Sequence, residues 1–126
     1  MKNSNNIGAR GERLAARYLR KQRYRIVDKN VHASHNEIDL VVKNKEYIVF
    51  VEVKTRTVSI DTIACISPAS AVTYPKQQRI ITAAKTLLTK YKVIQLQPRF
   101  DVIEVYINKD DGKLLHINHI PNAFGA

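Results

Sequence analysis

Residues 36–56, Asn36-Glu37-Ile38-Asp39-Leu40-Val41-Val42-Lys43-Asn44-Lys45-Glu46-Tyr47-Ile48-Val49-Phe50-Val51-Glu52-Val53-Lys54-Thr55-Arg56, decide how this chain folds. Residues 36–42 alternate as a strand and 47–54 read as a second. The short polar stretch Lys43-Asn44-Lys45-Glu46 joins them, which predicts an antiparallel hairpin. Strand side chains alternate faces, so Glu37, Asp39 and Val41 share one side, and Glu52 and Lys54 share one side with Ile48 and Phe50. Pairing that puts both polar sets on one face converges two or three carboxylates and an ammonium beside an apolar strand. A run as apolar as 48–53 has no folding reason to carry an interior carboxylate. Hard divalent cations such as magnesium do give a reason, because they take oxygen ligands. Metal-dependent phosphodiester hydrolysis is therefore a candidate chemistry. The competing arrangement is a cross-strand ion pair in which Lys54 neutralises Asp39 or Glu52 and no metal binds.

The composition adds a partner class. With 126 residues, 44% hydrophobic, the chain has enough material for one core, and residues 1–126 are expected to form one domain. Twenty-one Lys and Arg against eleven Asp and Glu give a net charge of +10, a field that favours polyanions, with nucleic acid first among them. Cys65 is the sole cysteine, which excludes an intramolecular disulfide or a thiolate metal cluster and suits a reducing cytoplasm. The polar start Met1-Lys2-Asn3-Ser4-Asn5-Asn6 lacks a signal core, and no run approaches a membrane span. The expected location is cytoplasmic, with no membrane partner.

Outside the hairpin, Asn5 or Asn6 can cap a helix over residues 7–22, with Ile7, Leu14, Ala15, Tyr18 and Leu19 on one stripe. Arg10, Arg13, Arg17, Arg20 and Lys21 mostly take the other side, as a backbone-binding charge or a solvated face. Residues 24–31 read as a first strand near a sheet edge, and 57–73 as a long irregular loop. Pro75 starts a second helix whose stripe is Ile80, Ala83, Ala84, Leu87, Leu88 and Tyr91. Residues 98–108 and 114–120 supply a fourth and fifth strand around the turn Asp110-Asp111-Gly112-Lys113. The order is α-β-β-β-α-β-β, an α/β chain with a mixed five-stranded sheet flanked by helices.

An Asp in the second strand followed by Glu-Val-Lys in the third resembles the PD-(D/E)XK nuclease superfamily. More closely, the chain resembles the YraN family of small bacterial proteins, themselves similar to archaeal Holliday-junction resolvases. The resemblance covers residues 7–107. It is carried by 8–16 (Gly8-Ala9-Arg10-Gly11-Glu12-Arg13-Leu14-Ala15-Ala16), 37–41, 49–56, Ala71-Val72 with Lys76 and Arg79, and 99–103 (Arg99-Phe100-Asp101-Val102-Ile103). Each motif is weak alone; their order and spacing together are specific. The chain departs from the family pattern at one position and in one loop, which normally contains glycine. Asn36 stands where glycine is usual, a residue that tolerates positive φ, and residues 59–70 contain no glycine.

The resemblance implies a restriction-endonuclease-like core and a magnesium- or manganese-dependent endonuclease acting on DNA rather than RNA, including branched or junction DNA. Asp39 and Glu52 would be metal ligands with the Val53 carbonyl, and Lys54 would orient water or stabilise charge. Glu12 either favours its helix dipole or leans toward the metal, and Glu37 is a supporting carboxylate or a solvated one. Lys76, Arg79 and Gln77 lie at a helix start suited to phosphate, while Arg56 is a further phosphate contact. Asp101 matches the family and either supports the site or pairs with Arg99 or the first helix. His32, His35, His116 and His119 lack metal-site spacing on a helix and are read as non-ligands. A resolvase cuts two strands symmetrically, which implies a homodimer. The alternatives are a nucleic-acid-binding module without catalytic metal, and a subunit of a larger nucleic-acid-processing assembly.

Overall fold

Helix α1 (Ile7–Lys21) begins where the sequence allows it, with Asn6 as N-cap accepting a hydrogen bond from the Ala9 N–H at 3.1 Å. The computed structural model describes residues 6–65 and 72–125. Strands follow as β1 (Arg25–Ala33), β2 (Asn36–Lys43) and β3 (Tyr47–Val58). Helix α2 (Tyr74–Tyr91), capped by Thr73 with Pro75 in its first turn, then leads to β4 (Gln97–Asn108) and β5 (Leu114–Phe124). The expected α-β-β-β-α-β-β order is observed. Among the described residues no helix is long and apolar enough to cross a membrane.

The sheet runs β1-β2-β3-β4-β5, antiparallel except for β3 and β4, which are parallel. That one parallel pair requires a crossover, and α2 lies within it. The mixed sheet flanked by two helices agrees with a restriction-endonuclease-like core.

Two apolar clusters cover the two faces. Ala15, Ala16 and Leu19 of α1 pack with Leu40, Val42, Val49, Val51, Ile103, Val105 and Ile107. Ile80, Ile81, Ala83, Ala84 and Leu87 of α2 pack with Val41, Ile48, Phe50, Phe100 and Val102. The partition follows the two-residue alternation along each strand. Close approach of α1 depends on Gly11, where a Cβ would overlap the side chain of Thr55 on β3. Glu12 is the next residue, so this contact sets its height above the sheet.

Several sequence expectations are revised. The irregular 57–73 segment starts later than expected: β3 continues to Val58 because it stays paired with β4 to Asn108, and a 3-10 helix (Ile60–Cys65) follows. Residues 66–71 of that segment, Ala71 included, and the alternative cap Asn5 lie outside the described residues. Strand β5 runs on past residue 120 to Phe124. At the β1–β2 turn the positive φ values fall on Ser34 (52°) and His35 (64°), which makes a two-residue hairpin loop. Asn36 is not left-handed; its side-chain amide instead donates to the Ser34 carbonyl at 2.8 Å.

Candidate functional site

Strands β2 and β3 pair only from Leu40↔Val51 to Lys43↔Ile48. Beyond Leu40, β2 stays with β1 as far as Asn36, while β3 stays with β4 as far as Val58. The sheet therefore forks, and Asp39 stands at the crotch. Its Oδ2 accepts a hydrogen bond from the Val53 N–H at 2.8 Å, taking over a backbone donor that β2 no longer reaches. Continuing the ladder by one residue sets Asp39 opposite Glu52. The expected convergence of Asp39 and Glu52 is thus produced by a strand fork as well as by alternation.

The fork opens into a hollow of about 330 Å³ whose walls include Glu37, Asp39, Glu52, Lys76 and Arg79. His35, at the hairpin tip, also lines it. The Asp39 carboxyl is pushed up to about 7: burial contributes most, Glu52 and Glu12 add repulsion, and the Val53 hydrogen bond and Lys76 oppose them. Glu52 is 8% exposed, and its Oε2 lies 3.0 Å from the Lys76 ammonium. Lys76 thus provides the ion pair that sequence alone would give to Lys54. Lys54 is half-buried and shares the Glu52 face by alternation, and its ammonium makes no hydrogen bond or ion pair among the described residues.

Glu12 reaches this region from the other helix. Its carboxyl is raised, first by burial and then by Glu37 and Glu52, with Asn30 and Asp39 opposing. It lies in the second turn of α1, whose first turn carries no acid, so the helix dipole contributes little to it. Arg13 lines the hollow that holds Glu12, and Arg10 is half-buried on the same helix. Gln77 turns away, donating its amide to the Val72 carbonyl at 2.9 Å. Among the described residues no three His, Cys, Asp or Glu side chains gather closely enough to hold a metal by themselves. Two carboxylates, one backbone carbonyl and water remain a sufficient donor set for magnesium, which keeps several of its waters.

Two buried carboxylates lie outside the fork. Asp101 is 1% exposed, accepts two hydrogen bonds from Arg99 (2.9 and 2.8 Å) and one from the Asn122 N–H (2.9 Å), and sits 2.7 Å from His119 Nε2. The other ring nitrogen of His119 lies 3.1 Å from the Tyr18 hydroxyl, which ties β4 and β5 to α1. Burial alone would raise the Asp101 carboxyl, but the bonds from His119, Arg99 and Asn122 hold it below its ordinary value. Its strand partner Val51 faces α1, so Asp101 stands apart from the fork. His116 and His119 pair with Tyr106 and Ile103 respectively, on opposite faces as expected.

Glu104 was not singled out by the sequence. Fully buried, it sits opposite Lys54 in the β3–β4 register and accepts hydrogen bonds from Tyr106 and Asn118, both at 3.0 Å. Arg56 approaches it at 3.9 Å, which anchors that guanidinium beside Lys54. The available signal was parity: Glu104 occupies an apolar face of β4 two residues after Val102, as Glu52 does two residues after Phe50.

The family comparison agrees with this geometry in extent. Residues 11–105 match the model of the uncharacterised protein family UPF0102, a span that contains the fork, Glu12 and Glu104. A UPF0102 protein of Caldanaerobacter subterraneus is 44% identical over 122 residues, covering 97% of each chain. One from Geobacter metallireducens is 42% identical over 94% of this chain and 92% of its own. Another, from Clostridium perfringens, is 40% identical over 98% and 97% respectively. The chain belongs to the UPF0102 family.

Proposed function

We propose that this protein is a magnesium-dependent endonuclease that hydrolyses phosphodiester bonds in DNA, with branched or junction DNA as the preferred form. Manganese would serve as a substitute metal, and the setting would be cytoplasmic. The observation that carries the reading is the carboxylate pair at the strand fork: burial first, and then the neighbouring Glu52 charge, raise the Asp39 carboxyl to about 7. Folding alone gives no reason to maintain such repulsion, and a cation would relieve it.

In this reading Asp39 and Glu52 hold the ion, with the Val53 carbonyl as a further oxygen donor. A bound magnesium supplies charge neutralisation and polarises the phosphoryl oxygen. Val53 N–H fixes the Asp39 carboxylate through Oδ2. Lys54, on the Glu52 face, orients the attacking water and stabilises charge on the phosphoryl group. Lys76 releases Glu52 to the ion and turns to phosphate, together with Arg79 at the same helix start. Arg56, anchored by Glu104, contacts a neighbouring phosphate. Cutting both strands of a junction symmetrically would use a homodimer.

One observation favours a second reading, a nucleic-acid-binding module without catalysis. Glu52 already has the Lys76 ammonium at 3.0 Å, which neutralises it without metal. Labelled four-way-junction, flap, single-stranded and duplex DNA separate the two. Metal-dependent cutting that disappears in Asp39→Ala and Glu52→Ala, with binding kept in Lys54→Ala, supports the nuclease. Binding without cutting, unchanged by either carboxylate substitution, sinks it in favour of the binding module.

A further inference from the structure

At the end of the sheet away from the fork, the start of β1 and the end of β2 enclose an open cleft of about 600 Å³ lined by Arg23, Arg25, Lys43, Asn44, Lys45 and Glu46. Arg25 and Lys43 are direct cross-strand partners in the antiparallel β1–β2 ladder. Like charges directly opposite each other destabilise a sheet. None of Arg23, Arg25, Lys43 or Lys45 makes an ion pair among the described residues, and Glu46 is the single acid on the wall. Asn44 Oδ1 accepts from the Glu46 and Tyr47 N–H groups at 2.9 and 2.8 Å, so the turn carrying Lys45 is rigid. Four cations gathered around a concavity, two of them opposite each other in the ladder, form a site whose energetics improve when an anion enters.

We propose that this cleft is a second phosphate-binding site for the nucleic-acid backbone, separate from the carboxylate fork. Alternation puts Lys43 on the same face as Val41 and Asp39, four residues along β2, or roughly 13 Å from Asp39. Val41, between them on that face, is fully buried beneath α2, so the cleft is a contact point of its own and not a continuation of the fork. The choice of nucleic acid as the polyanion rests on the proposed function. Binding through the cleft requires neither metal nor cutting.

The test is fluorescence anisotropy of a labelled duplex with a chelator present, over a range of salt, for wild type and Arg25→Gln/Lys43→Gln. Loss of two phosphate contacts lowers the slope of log K against log salt by about 1.8. The same variant should melt at or above the wild-type temperature, because one repulsive pair is gone. Arg25→Gln alone, at an exposed position, should lower the slope by about 0.9 and serves if the double variant folds poorly. An unchanged slope in folded variants overturns the proposal. So does a slope that is unchanged on DNA while binding to phosphatidylserine vesicles is lost, which would assign the cleft to a lipid surface. If Asp39→Asn leaves cutting intact but the cleft variants lose slope, the catalytic assignment fails and the cleft stands.

Discussion

Replacing Asp39 by Asn should make the metal-free protein more stable, and by an amount that depends on pH. In the folded protein this carboxyl is raised from 3.8 to about 7, mainly by burial and by Glu52. Between those values the folded state holds a proton that the unfolded chain has released. Protons bound in the folded state exceed those in the unfolded state, so stability falls as pH rises from about 4 to about 7, and the penalty is complete above 7. At 1.36 kcal/mol per pH unit the interval corresponds to roughly 4 kcal/mol, which partial solvent access at this half-buried side chain reduces to about 2 kcal/mol. Asparagine removes the charge and keeps an oxygen to accept the Val53 N–H. In a chain of this size 2 kcal/mol raises Tm by about 8 °C. Thermal unfolding followed by circular dichroism, with chelator, should show that gain at pH 8 and only a small difference near pH 4. Millimolar magnesium should then raise the Tm of wild type and leave Asp39→Asn unchanged, because a ligand stabilises only the state that binds it. A variant less stable than wild type at pH 8, or a difference that does not vary with pH, would refute the claim that the fork holds repelling carboxylates.

Three further outcomes follow from the same geometry. Glu52→Gln should lower the Asp39 titration midpoint, read by carboxyl carbon NMR, since Glu52 is the main charge raising it. Its effect on stability should stay within about 1 kcal/mol, because the Lys76 partner is 45% exposed. Gly11→Ala should destabilise by about 1–3 kcal/mol in urea unfolding through overlap with the Thr55 hydroxyl, and adding Thr55→Ala, which removes that oxygen, should recover part of the loss. Asp101→Asn should cost about 3–5 kcal/mol by leaving the Arg99 charge buried and unbalanced. Its carboxyl is held low, so its stabilisation is present above the ordinary carboxylate range and lost as pH falls through the lowered value, the opposite sign to Asp39.

The opposite signs at Asp39 and Asp101 show which parts of this molecule a sequence can disclose. Alternation along residues 36–42 and 47–54, the 3.6-residue stripe of α2 and the turn residues are local patterns, and each produced the element it predicted. Alternation also put Asp39 and Glu52 on one face. Which lysine would meet them was not local: Lys54 is two residues from Glu52, yet Lys76, far along the chain and carried by α2, makes the ion pair. The fork itself depends on β2 staying with β1 while β3 stays with β4, a competition among three strand pairings that no single segment records. Glu104 escaped notice because five apolar neighbours made its strand look like plain core, and its burial becomes clear only beside Tyr106 and Asn118. Asp101 matched the same motif order as Asp39, but the strand register turns it toward α1, where Arg99 and His119 satisfy it. Asp101, satisfied by its neighbours, holds the fold together, whereas Asp39, raised by burial and by Glu52, suits the cation-binding role proposed for it. The same residue type in the same motif series thus divides into structural and candidate catalytic roles according to the sheet face on which it lies.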